Sequence, residues 1–199
     1  MTKDMIVALR RETGAGMNDI HKALQEANGD QDKALELLRK RGQAKALKKQ
    51  DRATTEGLIH TYVHGNGRVG VMVEVACETD FVARNEDFQQ FVHDVALQVA
   101  ATDPRYLSAE DVPEEVKTNE LALARERLAT EGKLAGKDEA IVAKILEGSF
   151  AKFIEADVLL EQPSIKDDTQ KVKDLLVAIT AKVGENVKIK RFVRYAIGQ

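Results

Sequence analysis

Apolar positions recur at helical spacing through the first ~50 residues. Ile6 and Leu9 define a helix over about Lys3–Glu12 that stops at Gly14. Ile20, Ala23, Leu24 and Ala27 fall at i, i+3, i+4 and i+7, which predicts a second helix over about Met17–Ala27, ended by Asn28-Gly29. Asp30 is a good N-cap for a third helix, burying Ala34, Leu37 and Leu38 before Gly42. Ala44–Thr55 then reads as a helical or extended linker.

The period changes from helical to alternating after residue 55. Leu58–His64 and Arg68–Cys77 flank Gly65-Asn66-Gly67, a strong hairpin signal. Val69, Val71, Val73, Val75 and Cys77 share one face of the second strand. A two-residue turn would set His60 and Tyr62 beside these valines. A three-residue loop would set Ile59 and Val63 there, and this register is expected because the apolar face decides pairing. Helices are predicted over about Glu86–Ala101 (Phe88, Phe91, Val92, Val95, Ala96, Val99 inward), from Pro113 to about Glu131, over Asp138–Ala156, and from a Thr169 cap to Gly184. Val187–Ile197 alternates Val187, Ile189, Val193, Tyr195 and Ile197 against Lys188, Lys190, Phe192 and Arg194, which predicts a third strand. Phe192 stands on the otherwise basic face, either as an exposed aromatic that hints at a partner or self-association surface, or partly covered by the chain's own helices.

The expected fold class is therefore α+β: an N-terminal three-helix module that resembles the ubiquitin-associated type, and a three-stranded antiparallel sheet packed with helices on one face. The expected division is 1–55 for the module and its linker, and 56–199 for the α+β core. Composition agrees with a soluble globular chain, at 43% hydrophobic and 32% charged residues. A single Cys77 excludes an internal disulfide and fits a reducing compartment. Asp4, Arg10 and Arg11 break the N-terminal apolar run, unlike a signal peptide, and no apolar stretch approaches the ~20 residues of a membrane span. A cytoplasmic protein is expected. Residues 1–55 carry 12 Lys/Arg against 8 Asp/Glu, mostly through Arg39–Arg52. This basic run has no interleaved aromatic for base stacking, so a solvated helix end is preferred to nucleic-acid binding.

Familiar catalytic patterns do not survive their context. Gly65–Gly70 matches GxGxxG, but strands lie on both sides where a dinucleotide site needs a following helix. His60 and His64 would be ~13 Å apart along a strand, too far to share one metal ion. His21 and His93 read as helix-surface residues, and Cys77 as core. No nucleophile–base–orienter set is visible. Neither enzymatic chemistry nor a bound cofactor or metal is expected.

One connection stands out: Thr79-Asp80-Phe81-Val82-Ala83-Arg84-Asn85-Glu86, between a strand and a helix. From the residues alone Phe81 is either a buried anchor, with Asp80 a turn or capping residue, or an exposed finger tip. Cys77-Glu78-Thr79-Asp80-Phe81-Val82-Ala83-Arg84-Asn85 resembles the CxTDFVAR/K signature of the translation elongation factor Ts family. Leu9-Arg10-Arg11-Glu12-Thr13-Gly14-Ala15-Gly16-Met17, continuing to Leu24, is similar to that family's LRxxTGAGMMDxKxAL signature, with Asn18 where a second Met is common. Gly184-Glu185-Asn186-Val187 with Arg191-Phe192 adds support. The resemblance runs from about residue 3 to the end.

The resemblance implies a guanine-nucleotide exchange factor for the GTPase elongation factor Tu. It implies partner contacts at Arg10, Gly14 and Met17, with Arg84 and Asn85, and an exchange loop at Thr79, Asp80, Phe81 and Val82 that intrudes near the partner's magnesium site. With room for only one sheet-containing unit, the chain is similar to short members, which implies a homodimer through the sheet, with Val187, Ile189, Phe192 and Val193 at the interface. Direct binding to nucleic acid or membrane is not expected. Two other readings are a ubiquitin-associated-like adaptor without exchange activity and an RNA-binding protein using Arg39–Arg52.

Overall fold

The helical spacing of the N-terminal segment resolves into α1 (Lys3–Thr13), α2 (Met17–Glu26) and α3 (Gln31–Leu47). The computed structural model describes residues 3–198; Met1, Thr2 and Gln199, which bound the expected ranges 1–55 and 56–199, lie outside the described residues. Leu9, Ile20, Ala23, Leu24, Ala34 and Leu38 close a small core. Asp30 caps α3 by accepting a 3.1 Å hydrogen bond from the Lys33 N–H. Contrary to expectation, α3 does not stop at Gly42 but continues to Leu47. A mid-helix glycine costs only about 1 kcal/mol, and burial of Ala46 one turn later favours continuation.

The next elements are β1 (Glu56–His64) and β2 (Val69–Cys77), joined by a four-residue loop, Gly65–Arg68. Gly65, Asn66 and Gly67 all have positive φ (60°, 56° and 87°), which lets the chain reverse before the Arg68 N–H bonds the His64 carbonyl at 3.1 Å. The loop sets the register as His60↔Val73 and Tyr62↔Val71, overturning the expected pairing of Ile59 and Val63 with the valine face. The side chains explain why. His60 Nε2 lies 3.1 Å from His93 Nδ1, and Tyr62 meets the His93 ring edge-on. Both are thus covered by α5 (Glu86–Thr102), while Ile59 and Val63 face outward.

After α8 (Val172–Val183), β3 (Lys188–Ala196) pairs antiparallel with β2, giving the order β1-β2-β3. The ladder is irregular at Glu74/Val75: Arg191 pairs with Glu74 and Ile189 with Val75, leaving Lys190 as the extra residue. A bulge reverses the alternation beyond it. Ile189 and Phe192 therefore share the inner face with Val75 and Val73, and Val193 and Tyr195 pass to the outer face beside Met72 and Gly70. Phe192 is partly buried, the covered of its two expected states, but the bulge places it on the inner face and not on the basic one. Val187 and Ile189 are buried within the chain.

Residues up to Leu97 and from Lys173 onward form one compact unit, because β3 returns to β2. Gln98–Val172 forms the other. Its main elements are α6 (Glu114–Thr130) and α7 (Glu139–Asp157), the latter capped by Asp138, whose carboxylate accepts from the Ile141 N–H at 2.8 Å. Gln162, buried, accepts from Gln98 and Thr102 side chains and donates to the Ala156 carbonyl. Thr169 does not cap α8: its hydroxyl bonds Asp167 instead, and the helix begins at Val172. Among the described residues there are eight α-helices and one three-stranded antiparallel sheet, an α+β chain.

Candidate functional site

The Thr79–Asn85 connection is itself helical for one turn. Asp80–Ala83 forms α4, a four-residue helix. Thr79 is its N-cap, its hydroxyl accepting a long 3.5 Å bond from the Val82 N–H. Asp80 is therefore not the cap but the first-turn acid, a place where a negative charge meets the positive end of the peptide dipoles. Asn85 ends the turn and starts the next helix, its side-chain oxygen accepting from the N–H groups of Asp87 (2.9 Å) and Phe88 (3.3 Å). Eight residues, Glu78–Asn85, thus carry the chain out of β2, through one turn, and into α5.

Phe81 sits on this turn with 79% of its surface exposed, which excludes the buried-anchor reading. Burying a phenylalanine gains about 1.5–3 kcal/mol, so the fold forgoes that gain here. Val82 is half-buried on the other side of the turn. Asp80 pairs with Arg84 at 2.9 Å, and both are substantially exposed. Such a surface pair contributes about 0.3–0.5 kcal/mol, a hold that a partner's cation can displace.

The base of the turn is tied down far more strongly than its tip. Glu185, just beyond α8, accepts from the N–H groups of Glu78 (3.1 Å) and Thr79 (3.0 Å) and from the Thr79 hydroxyl (2.7 Å). The Asn186 N–H donates to Glu78 Oε1 at 2.6 Å, and the Asn186 side chain donates to the Gln50 and Arg52 carbonyls. Lys49 donates to the Gly184 carbonyl, and Arg52 approaches Glu78 at 3.5 Å. Burial, with the Arg52 charge next, holds the Lys49 ammonium below its ordinary range. Cys77, whose Sγ–H donates to the Thr79 carbonyl, is pushed up to about 11 by burial and the Glu185 charge, so it is an inert core thiol. Glu78, Glu185 and Asn186 stand inside the signature-like segments, yet reading by residue gives them no site role, because the bonds that join them span more than 100 positions.

Arg10, Gly14 and Met17 lie around the α1–α2 turn. Lys3, Ile6, Val7, Arg10, Arg11 and Met17 line a shallow groove of ≈ 430 Å³, with Val7 and Met17 exposed. The Thr13 hydroxyl donates to the Leu9 carbonyl and accepts from the Ala15 N–H, shaping the turn. Gly14 has φ +63°, and a Cβ there would stand 2.3 Å from Lys182 Cγ on α8. Lys182 in turn pairs with Asp87 at 2.7 Å, at the start of α5.

The basic run Arg39–Arg52 is largely engaged within the chain. Arg39 pairs with Glu12, Lys40 with Glu36, Arg41 with Glu26 and Lys45 with Asp19, at 2.6–3.2 Å. Among the described residues no group of three or more His, Cys, Asp or Glu is arranged to hold a metal ion, and no helix is long and apolar enough to cross a membrane.

A sequence profile of the family described as "Elongation factor TS" matches residues 6–199. The chain is 51% identical to Elongation factor Ts of Moorella thermoacetica over 194 residues, covering 98% of this chain and 94% of that one. It is 49% identical to the Carboxydothermus hydrogenoformans protein, covering 100% and 90% of the two chains. It is 50% identical to Elongation factor Ts of Thermotoga maritima, covering 100% and 97%. With both signature segments inside a match that runs almost end to end, this chain belongs to the translation elongation factor Ts family.

Proposed function

We propose that the protein is a cytoplasmic guanine-nucleotide exchange factor that speeds GDP release from elongation factor Tu without covalent chemistry of its own. The observation that carries this reading is Phe81, 79% exposed on a capped helical turn beside Asp80. A nucleoside diphosphate is held chiefly through its phosphates and the bridging Mg²⁺. An apolar ring wedged into the GTPase, with a carboxylate beside it, disturbs both supports. Thr79 and Val82 shape the turn; Arg84 and Asn85 flank it. The groove beside Arg10 and Met17, with Gly14 at its turn, suits the docking of the N-terminal helices on the same partner. Because coupling is reciprocal, the factor by which this protein weakens GDP is the factor by which GDP weakens its own binding.

The test loads elongation factor Tu with a fluorescent GDP analogue and adds this protein with excess unlabelled GDP. Release should accelerate strongly, and Phe81→Ala or Asp80→Ala should remove most of the acceleration while far-ultraviolet dichroism stays unchanged. Unaccelerated release with the wild-type protein would sink the proposal. An adaptor without exchange activity requires nothing of Asp80 and Phe81, so the same variants separate the two readings.

Self-association through the sheet is part of the same proposal. Its outer face carries Ile59 and Val63 on β1, Met72 on β2, and Val193 and Tyr195 on β3, all exposed. Contiguous apolar surface of this kind marks interaction sites. The exposure of these outward residues, Val193 among them, supports an interface there, whereas Val187, Ile189 and Phe192 turn toward the chain's own interior.

A further inference from the structure

A four-residue helix has almost nothing to hold itself together. Nucleating a turn fixes several dihedrals for one hydrogen bond, and short helices depend on anchors from elsewhere. α4 is such a case, and Phe81 at its tip has little packing to steady it. Its anchor comes from 106 residues away: the Glu185 carboxylate, which takes both the Thr79 N–H and the Thr79 hydroxyl. The same hydroxyl oxygen caps Val82. Glu185 thus grips the one side chain on which the turn closes. The grip is mutual, since the Asn186 N–H returns a 2.6 Å bond to Glu78. Asn186, 3% exposed, also pins the carbonyls of Gln50 and Arg52, in the segment that follows α3.

Two carboxylates, Glu78 and Glu185, therefore meet at one node with Lys49 and Arg52 nearby. Bringing two carboxylates and two cations together strips water from charged groups and is a poor way to add stability alone. It is a good way to fix direction, because a charged acceptor with three donors tolerates little reorientation.

We propose that Glu185 is a positioning residue for nucleotide exchange: it fixes the direction in which the Thr79–Val82 turn presents Asp80 and Phe81. Asn186 ties that turn to the segment arriving from the N-terminal helices. The inference rests on the exchange reading above. Pre-organising the turn lowers the ordering cost that would otherwise be met when the finger enters its partner.

The experiment measures release of a fluorescent GDP analogue from elongation factor Tu over a range of concentrations of the full chain. It compares wild type, Glu185→Ala, Glu185→Gln, Phe81→Ala and the double variant Glu185→Ala/Phe81→Ala. Glu185→Ala should lower the saturating rate roughly tenfold, equivalent to about 1.4 kcal/mol, with the half-saturating concentration within about threefold of wild type, since the docking groove is untouched. Glu185→Gln should recover much of the rate, because its amide oxygen still accepts from the two backbone N–H groups. The double variant should lose clearly less than the product of the two single losses, since Glu185 acts through the same turn that carries Phe81, and only the Asp80 share remains for it to position. Phe81→Ala slow but Glu185→Ala at the wild-type rate overturns the positioning role while leaving the exchange reading intact. Losses that multiply in the double variant also overturn it, by showing a separate structural effect. Phe81→Ala at the wild-type rate removes the exchange reading itself. Should Glu185→Ala fail to fold, the comparison of Glu185→Gln with its own Phe81→Ala double variant decides on the same criteria.

Discussion

Gly14 shows how much one missing Cβ can carry. Its φ of +63° lies in the left-handed region, and the space a side chain would need is filled by Lys182 Cγ, Cβ and, at 3.1 Å, Cα. An alanine there costs about 1–2 kcal/mol for the backbone conformation alone, and α8 must move as well. Gly14→Ala is expected to lower the unfolding free energy by at least about 2 kcal/mol in urea titration. A loss under about 0.5 kcal/mol would show that the close approach of the two segments is unimportant. Phe81 is the opposite case: at 79% exposed it has little of the chain around it, which leaves its ring available for the proposed exchange role. The residue pattern left Phe81 open between these fates, because exposure depends on what lies nearby in space and not on neighbours in sequence.

Between elements, the contact of β1 with α5 carries a titratable pair. Burial, and then the nearby His93 ring, hold His60 below the ordinary histidine value of 6.5. Above that value His60 is neutral in both the folded and unfolded states. As pH falls below 6.5 the unfolded chain takes up a proton that the folded one resists, so stability declines until the depressed folded value is reached and then levels off. The urea midpoint should therefore fall between pH ~7.5 and ~5.5, and His60→Gln should flatten that fall. An equal slope in the variant would assign the pH dependence to other groups. The hairpin itself, with its Gly-Asn-Gly turn, was readable from sequence, whereas its register was not. Ile59 and Val63 look more apolar than His60 and Tyr62, but the four-residue loop and the His93 contact put the polar rings inside. The Lys190 bulge misled in the same way, since strict alternation cannot show where a strand gains a residue.

At the scale of the whole molecule, the exposed outer face of the sheet predicts self-association. A second copy covering Ile59, Met72, Val193 and Tyr195 would remove this apolar surface from water. Light scattering at micromolar concentration should give the mass of a dimer. Val193→Lys with Tyr195→Lys should give a monomer that keeps its far-ultraviolet spectrum, because both side chains point away from the chain's own core. A monomeric mass for the wild-type chain would rule the dimer out. The basic run bears on partners in a different way. Its Arg39, Lys40, Arg41 and Lys45 pair with Glu12, Glu36, Glu26 and Asp19, so a polyanion that used them would have to displace those carboxylates.

The sequence by itself determined the seven longer helices, the Asp30 cap, the strand–turn–strand, and the segment from Thr79 to Glu86 as a connection with unusual chemistry. These follow from apolar period and turn residues, which act over a few positions. Only the tertiary structure decided that the connection is a helical turn, that Phe81 faces solvent, which sheet face is bare, and that Glu185 grips Thr79. Each of these depends on partners brought together by folding from as far as 106 positions away, and no local pattern in the chain encodes such a meeting.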